Sequence, residues 1–216
     1  MGKAIRKKKQ SGNFTTAIHS TPVLVHLLII IALLIASYSR NTIWKNEIGI
    51  WSDVVKKSPN KARGYYNLGL QYLYSGNINQ ALNAFLIVLT FDSDNIDAHN
   101  NLGMAYQKLG RYHDAMNEYQ IAINLNPNYA AAYNNLGTIY RHLGHYHDAI
   151  SKYRTALRIN PYLAEAHNNI GNIYDELGYF KEAINEYQAA IKIKPEFEIA
   201  RTNLEATLAK NRSQSK

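Results

Sequence analysis

Apolar and polar positions divide the 216-residue chain into an N-terminal apolar run and a long periodic region. The run, Val23 to Ala36, is broken only by His26. With Ala17 and Tyr38 as its ends it is 22 residues long, about 33 Å as a helix. That length spans a bilayer. From residue 62 the apolar positions follow helical spacing in blocks that recur every 34 residues: 62–95, 96–129, 130–163 and 164–197. In the third block Tyr133, Leu136, Gly137 and Tyr140 mark one helix, and Ala149, Tyr153 and Ala156 mark a second. A fixed period of this size predicts a stacked array of helical hairpins in which each repeat buries its face on its neighbours.

Turn chemistry agrees with this division. Gly76, Gly110, Gly144 and Gly178 stand where each first helix must end, and glycine takes the left-handed conformation there at little cost. The glycines as a group are therefore read as turn residues. Pro127, Pro161 and Pro195 stop the second helices. Ser93 holds that place in the first copy, which predicts a softer boundary. In the second helices Ala81, Ala115, Ala149 and Ala183 permit close helix approach, with Phe85, Tyr119, Tyr153 and Tyr187 four residues later on the same face. The ends of the array are atypical. Residues 42–61 read as a lone second helix, with Ile48, Trp51 and Val54 in register with Leu82, Phe85 and Val88. Residues 198–210 read as a lone first helix that caps the last open face, and 211–216 as a polar tail.

Charge changes the picture only at the N-terminus. Six of the 24 basic residues and none of the 16 acidic ones lie in residues 1–40, leaving a balance of +2 beyond them. The array therefore has no basic stripe for nucleic acid. Residues 1–16, with Lys7, Lys8 and Lys9 at their centre, form a basic tail ahead of the apolar segment 17–38. A single membrane anchor fits this order, with the tail held in the cytoplasm and the array outside it, in a periplasm or lumen. A cleaved secretion leader and a buried helix are the alternatives, although Ser37-Tyr38-Ser39 is a poor cleavage site. The chain has no cysteine, which excludes disulfides and thiolate chemistry.

Asn67, Asn101, Asn135, Asn169 and Asn203 stand 34 residues apart, one on each first helix. Asn100, Asn134 and Asn168 precede three of them. An asparagine amide offers a donor and an acceptor together, so it clamps a peptide bond without reading the side chain. A ladder of them suits an extended ligand. The alternative is that these amides satisfy one another or neighbouring backbone between repeats. Flanking charges are mixed: Arg63, Asp97 and Glu165 near helix starts, and Lys108, Arg141, His142, Asp175 and Glu176 near helix ends. His113, His142, His145 and His147 straddle a turn without cysteine and with Asp148 as the one nearby carboxylate, so surface histidines are expected rather than a metal site. His99 and His167 fill the large-residue position of Tyr65 and Tyr133, where packing accounts for them. No phosphate-cradling loop, zinc-protease helix or nucleophile elbow is present, so neither catalysis nor a cofactor is expected.

The set Tyr133, Leu136, Gly137, Tyr140, Ala149, Tyr153, Ala156 and Pro161, met again in the other copies, resembles the tetratricopeptide repeat (TPR) family. The resemblance covers residues 62–197 and implies an all-α, right-handed superhelical solenoid, with four whole repeats and a half-repeat at each end. It implies that the first helices line a concave face. The phrase Ala132-Tyr133-Asn134-Asn135-Leu136-Gly137 is similar to the array of O-linked N-acetylglucosamine transferase, whose asparagine ladder holds an extended peptide. The stretch from Trp44 to Leu70 after an apolar segment resembles the junction in membrane proteins that join a mannosyltransferase-like half to an outward-facing array. Neither catalytic half has a counterpart in this sequence. The expected function is a membrane-anchored scaffold that binds a protein or extended peptide. The alternatives are an accessory subunit that presents polypeptide to a glycosyltransferase, or a self-assembling scaffold of stacked copies.

Overall fold

The structure, a computed structural model, describes residues 25–33 and 47–214. It divides into two units, Met1–Ile50 and Trp51–Lys216. In the first, α1 is a nine-residue helix over residues 25–33 with an exposed surface. No helix among the described residues is long and apolar enough to cross a membrane. The rest of the expected span, residues 17–24 and 34–38, lies outside the described residues, as does the basic tail 1–16.

From Glu47 onward the chain is a succession of helices: α2 (Glu47–Lys57), which runs across the division, then in the second unit α3 (Ala62–Tyr74), α4 (Ile78–Phe91), α5 (Ile96–Lys108), α6 (Tyr112–Leu125), α7 (Ala130–His142), α8 (Tyr146–Ile159), α9 (Ala164–Glu176), α10 (Phe180–Ile193) and α11 (Glu198–Gln214). Helices α3 to α10 are four antiparallel pairs. The turn glycines Gly76, Gly110, Gly144 and Gly178 have φ of 80°, 73°, 77° and 79°. The amide after each donates back to the carbonyl five residues earlier, Asn77 to Tyr72 at 2.8 Å and His145 to Tyr140 at 2.9 Å. That six-to-one closure is how a left-handed glycine satisfies the last carbonyls of a helix.

The core belongs to no single repeat. One cluster joins Ala115, Tyr119 and Ala122 of α6 to Ala132, Leu136 and Ile139 of α7. Another joins Ala149 and Tyr153 of α8 to Ala166, Ile170 and Ile173 of α9. Each second helix is thus buried by the following first helix as well as by its own. A hairpin taken alone would leave the face that meets the next first helix wet.

Glycine recurs at one further register that is not a turn. Gly69, Gly103, Gly137 and Gly171 lie inside first helices, and a Cβ at each would sit 2.7, 2.6, 2.8 and 2.6 Å from a ring carbon of Phe85, Tyr119, Tyr153 and Tyr187. These rings are buried to within 1% of full. Glycine is required there because the ring occupies the space a Cβ would take.

The boundary after the first repeat is as sharp as the others. Helix α4 ends at Phe91, in register with Leu125, Ile159 and Ile193. Asp92 is extended (φ −147°, ψ 90°), like Asn126 (φ −139°, ψ 98°) ahead of proline. Asn95 takes over the role of proline: its Oδ1 accepts from Ala98 N at 2.9 Å, which caps α5, and its Nδ2 donates to Asp92 Oδ2 at 2.9 Å. The cap α11 runs to Gln214, beyond the expected residue 210. Arg212 occupies the register of the turn glycines, and without a residue suited to positive φ the helix continues through it. Of the expected half-repeat 42–61, residues 42–46 lie outside the described residues.

Candidate functional site

Successive first helices α3, α5, α7, α9 and α11 touch one another, whereas among the described residues no second helix touches the next second helix. The array is therefore narrower along its first helices, which line the inner side of the curve.

A single register links these helices. Asn101 Nδ2 donates to Tyr66 Oη at 3.1 Å. Asn135 Nδ2 donates to Asn100 Oδ1 at 2.9 Å, Asn169 Nδ2 to Asn134 Oδ1 at 3.3 Å, and Asn203 Nδ2 to Asn168 Oδ1 at 3.0 Å. Each of these bonds joins residues 35 apart, so the ladder asparagine of one repeat reaches the residue just ahead of the ladder position in the repeat before, an asparagine in three cases and Tyr66 in the first. Asn203 also donates to Asn172 Oδ1 at 3.0 Å. Asn67, with no asparagine pair upstream in register, donates to its own helix at Arg63 O, 3.0 Å away.

The amides thus satisfy one another between repeats. Asn100, Asn101 and Asn168 are buried, at 6, 8 and 5% exposure. Asn67, Asn134, Asn135, Asn169 and Asn203 remain half-exposed. The carbonyl oxygens of Asn101, Asn135 and Asn169 accept no hydrogen bond among the described residues. Each of these amides has committed one N–H and kept an acceptor, which leaves half of a peptide clamp available.

A second line of contacts with the same register runs near the helix ends. Arg141 Nη2 meets Glu176 Oε1 at 2.6 Å, and Lys210 Nζ meets Asp175 Oδ2 at 2.5 Å. Thr207, buried, donates to Asp175 Oδ1 at 2.8 Å. Near the helix starts Tyr129 Oη donates to Asp97 Oδ1 at 2.7 Å. Burial, then the hydrogen bond to Asp97 and the charge of that carboxylate, push the Tyr129 hydroxyl well above its ordinary pKa. A hollow of about 250 Å³ opens beside it, lined by Ala62, Arg63, Tyr66, Val88, Asn95 and Asp97. Tyr66 is also pushed up, by burial and then by Asp97, and so presents a neutral hydroxyl.

His99 and His167 do more than fill space. His99 Nδ1 lies 2.7 Å from Glu118 Oε2 and its Nε2 lies 2.9 Å from Ser93 O. His167 Nδ1 lies 2.7 Å from Glu186 Oε2. Where the position is tyrosine, as at Tyr65 and Tyr133, the residue in the Glu118 register is Ala84 or Lys152. The pairing was legible in the sequence as this internal covariation. Of the other described histidines, His142 stacks on Tyr112 at 5.8 Å and His145 on Tyr140 at 6.3 Å. No group of three potential metal ligands converges among the described residues.

Family profiles described as tetratricopeptide repeats match residues 94–161 and 164–197, and one described as a TPR repeat matches residues 69–110. The fold is similar to that of TTC0263, a thermophilic TPR protein of Thermus thermophilus, with a TM-score of 0.69 at 21% identity over 82% of this chain and 96% of that one. It is similar to MamA, with a TM-score of 0.57 at 29% identity over 69% of this chain and 87% of that one. It is also similar to YrrB, a TPR protein with an unusual peptide-binding site, with a TM-score of 0.55 at 24% identity over 76% and 84% of the two chains. No curated protein matches the sequence.

Proposed function

Because the chain belongs to the tetratricopeptide repeat family, we propose that it is a protein-interaction scaffold holding an extended peptide along its first helices. One observation carries the reading: Asn101, Asn135 and Asn169 lie in one register, each with its N–H fixed and its carbonyl oxygen open. The inter-repeat bond orients each amide before a ligand arrives, which lowers the ordering cost of binding. Backbone amides of an extended ligand donate to these oxygens, so sequence preference is loose and the flanking charges select.

In this reading the scaffold is tethered to a membrane through residues 17–38, with the tail 1–16 in the cytoplasm and the array on the far side. The apolar run and its basic leader support that placement. The tether raises the local concentration of whatever the array holds.

The test is capture of peptides from a random library displayed on phage by the full chain and by Asn101→Ala/Asn135→Ala/Asn169→Ala. Each lost bond costs on the order of 1 kcal/mol of stability, so Arg141→Ala, which cuts a parallel inter-repeat contact, is the control. Capture lost in the asparagine variant and kept in the control is the expected result. Equal capture by a folded triple variant would remove the ladder from the function.

A further inference from the structure

The outward face of α8 carries chemistry that the repeat architecture does not use. His147, Ser151, Arg154, Thr155 and Arg158 lie on it, with Ile150 and Tyr174 at its margin, around a hollow of about 580 Å³. Arg154 and Arg158 are one helical turn apart, as are Ser151 and Thr155, so two guanidinium groups and two hydroxyls share one stripe. Arg154 Nη2 donates to Tyr174 Oη at 3.2 Å. Arg158 Nη2 donates to Thr155 Oγ1 at 3.3 Å.

Neither guanidinium has a carboxylate partner among the described residues. Arg111, Arg141 and Arg201 each have one, Asp114 at 2.7 Å, Glu176 at 2.6 Å and Glu198 at 2.9 Å. The acid beside this face, Asp148, lies 3.8 Å from His147 and 3.9 Å from His145 and does not line the hollow.

The other repeats act as internal controls. In register with Arg154 stand Leu86, Gln120 and Gln188, and with Arg158 stand Thr90, Asn124 and Lys192. The second helix of a repeat therefore folds without this pair. Two arginines held by neutral hydroxyls keep most of their donors free, and a guanidinium fork matches the oxygens of a phosphate in geometry and charge.

We propose that the outward face of α8 is a binding site for a phosphomonoester, with Arg154 and Arg158 holding the phosphate oxygens. Ser151 supplies a hydroxyl donor to the same group, while the Thr155 hydroxyl donates to Ser151 O at 3.1 Å and serves to hold Arg158. The hollow is larger than one phosphate, and Ile150 offers an apolar wall to the organic remainder of the ligand. None of the residues that line the hollow is a ladder asparagine, so the site does not depend on the peptide-binding reading.

Isothermal titration of the full chain with inorganic phosphate and with glycerol phosphate at low ionic strength tests this. Flotation with phosphatidylcholine vesicles, with and without phosphatidic acid, tests the same group on a lipid. Arg154→Gln/Arg158→Gln is compared with Arg111→Gln/Arg201→Gln, which removes equal charge elsewhere; glutamine keeps helix propensity. The expected result is at least a tenfold loss of affinity in the first pair alone, and weaker binding as salt rises. Sensitivity of the soluble phosphates to the Arg154/Arg158 change identifies a small-molecule ligand, whereas sensitivity of phosphatidic acid recruitment identifies a headgroup; both support the site. Equal binding by the two double variants, or no binding of any of these probes by the wild-type chain, would overturn it.

Discussion

Replacing Gly137 by alanine sets two effects of opposite sign against each other. Gly137 lies inside α7, where alanine is the better helix former by about 1 kcal/mol. On that ground alone the array would gain stability. The added methyl carbon, however, would lie 2.8 Å from Tyr153 Cε1, 2.9 Å from Cδ1 and 3.1 Å from Cζ. Ordinary contact begins at 3.4 Å, so the ring or the helix must move by several tenths of an ångström. Tyr153 is 0% exposed in the cluster that joins α8 to α9, and its hydroxyl is tied to Thr138 Oγ1 at 3.1 Å. It has nowhere to retreat. Overpacking of this kind costs about 1–3 kcal/mol, so the net change is a destabilisation of up to roughly 2 kcal/mol. At about 2–4 °C per kcal/mol for a chain of this size, the melting temperature falls by up to several degrees. Urea denaturation of the full chain, followed by far-UV ellipticity, measures it. In a Tyr153→Leu background the same glycine change should become neutral or stabilising, because the ring is gone and the helix preference remains. A Gly137→Ala chain more stable than the wild type would refute the claim that ring contact, rather than backbone freedom, fixes this glycine.

Burial pushes the Tyr153 hydroxyl up to about 12, while an unfolded tyrosine ionises near pH 10. The contribution of Tyr153 is complete below about pH 10 and is lost as pH rises through 12; two pKa units correspond to about 3 kcal/mol at most. Urea midpoints from about pH 8 to about pH 11.5 should fall, and Tyr153→Phe, which copies Phe85 in the first repeat, should lessen that slope, the remainder coming from Tyr119, Tyr129 and Tyr187, which burial also pushes up; an unchanged slope would exclude Tyr153 as a source. For the placement across a membrane, Ser213→Cys puts one thiol at an exposed position of a cysteine-free chain. A membrane-impermeant thiol reagent on intact cells, after opening of any outer membrane, should label it, and protection relieved only by lysis would put the array in the cytoplasm.

The period, the helical pairs and the turns between them are legible in the residues alone. They follow from local rules: glycine at positive φ, helical spacing of apolar side chains, and a backbone that cannot continue through proline. The same local logic predicts too soft an end to α4, because the cap made by Asn95 and Asp92 depends on how the chain bends back. It ends α11 too early, since it does not count the missing glycine at Arg212. The role of Gly137 and its equivalents needed the packed array, because the Tyr153 ring that excludes a side chain comes from the second helix of the pair. The ladder divides in the same way. That asparagines recur every 34 residues is written in the sequence. That each donates to the repeat before it, 35 residues away, depends on the stacking angle between repeats. That angle is set by buried alanines and rings contributed by neighbouring helices, a property no single repeat carries.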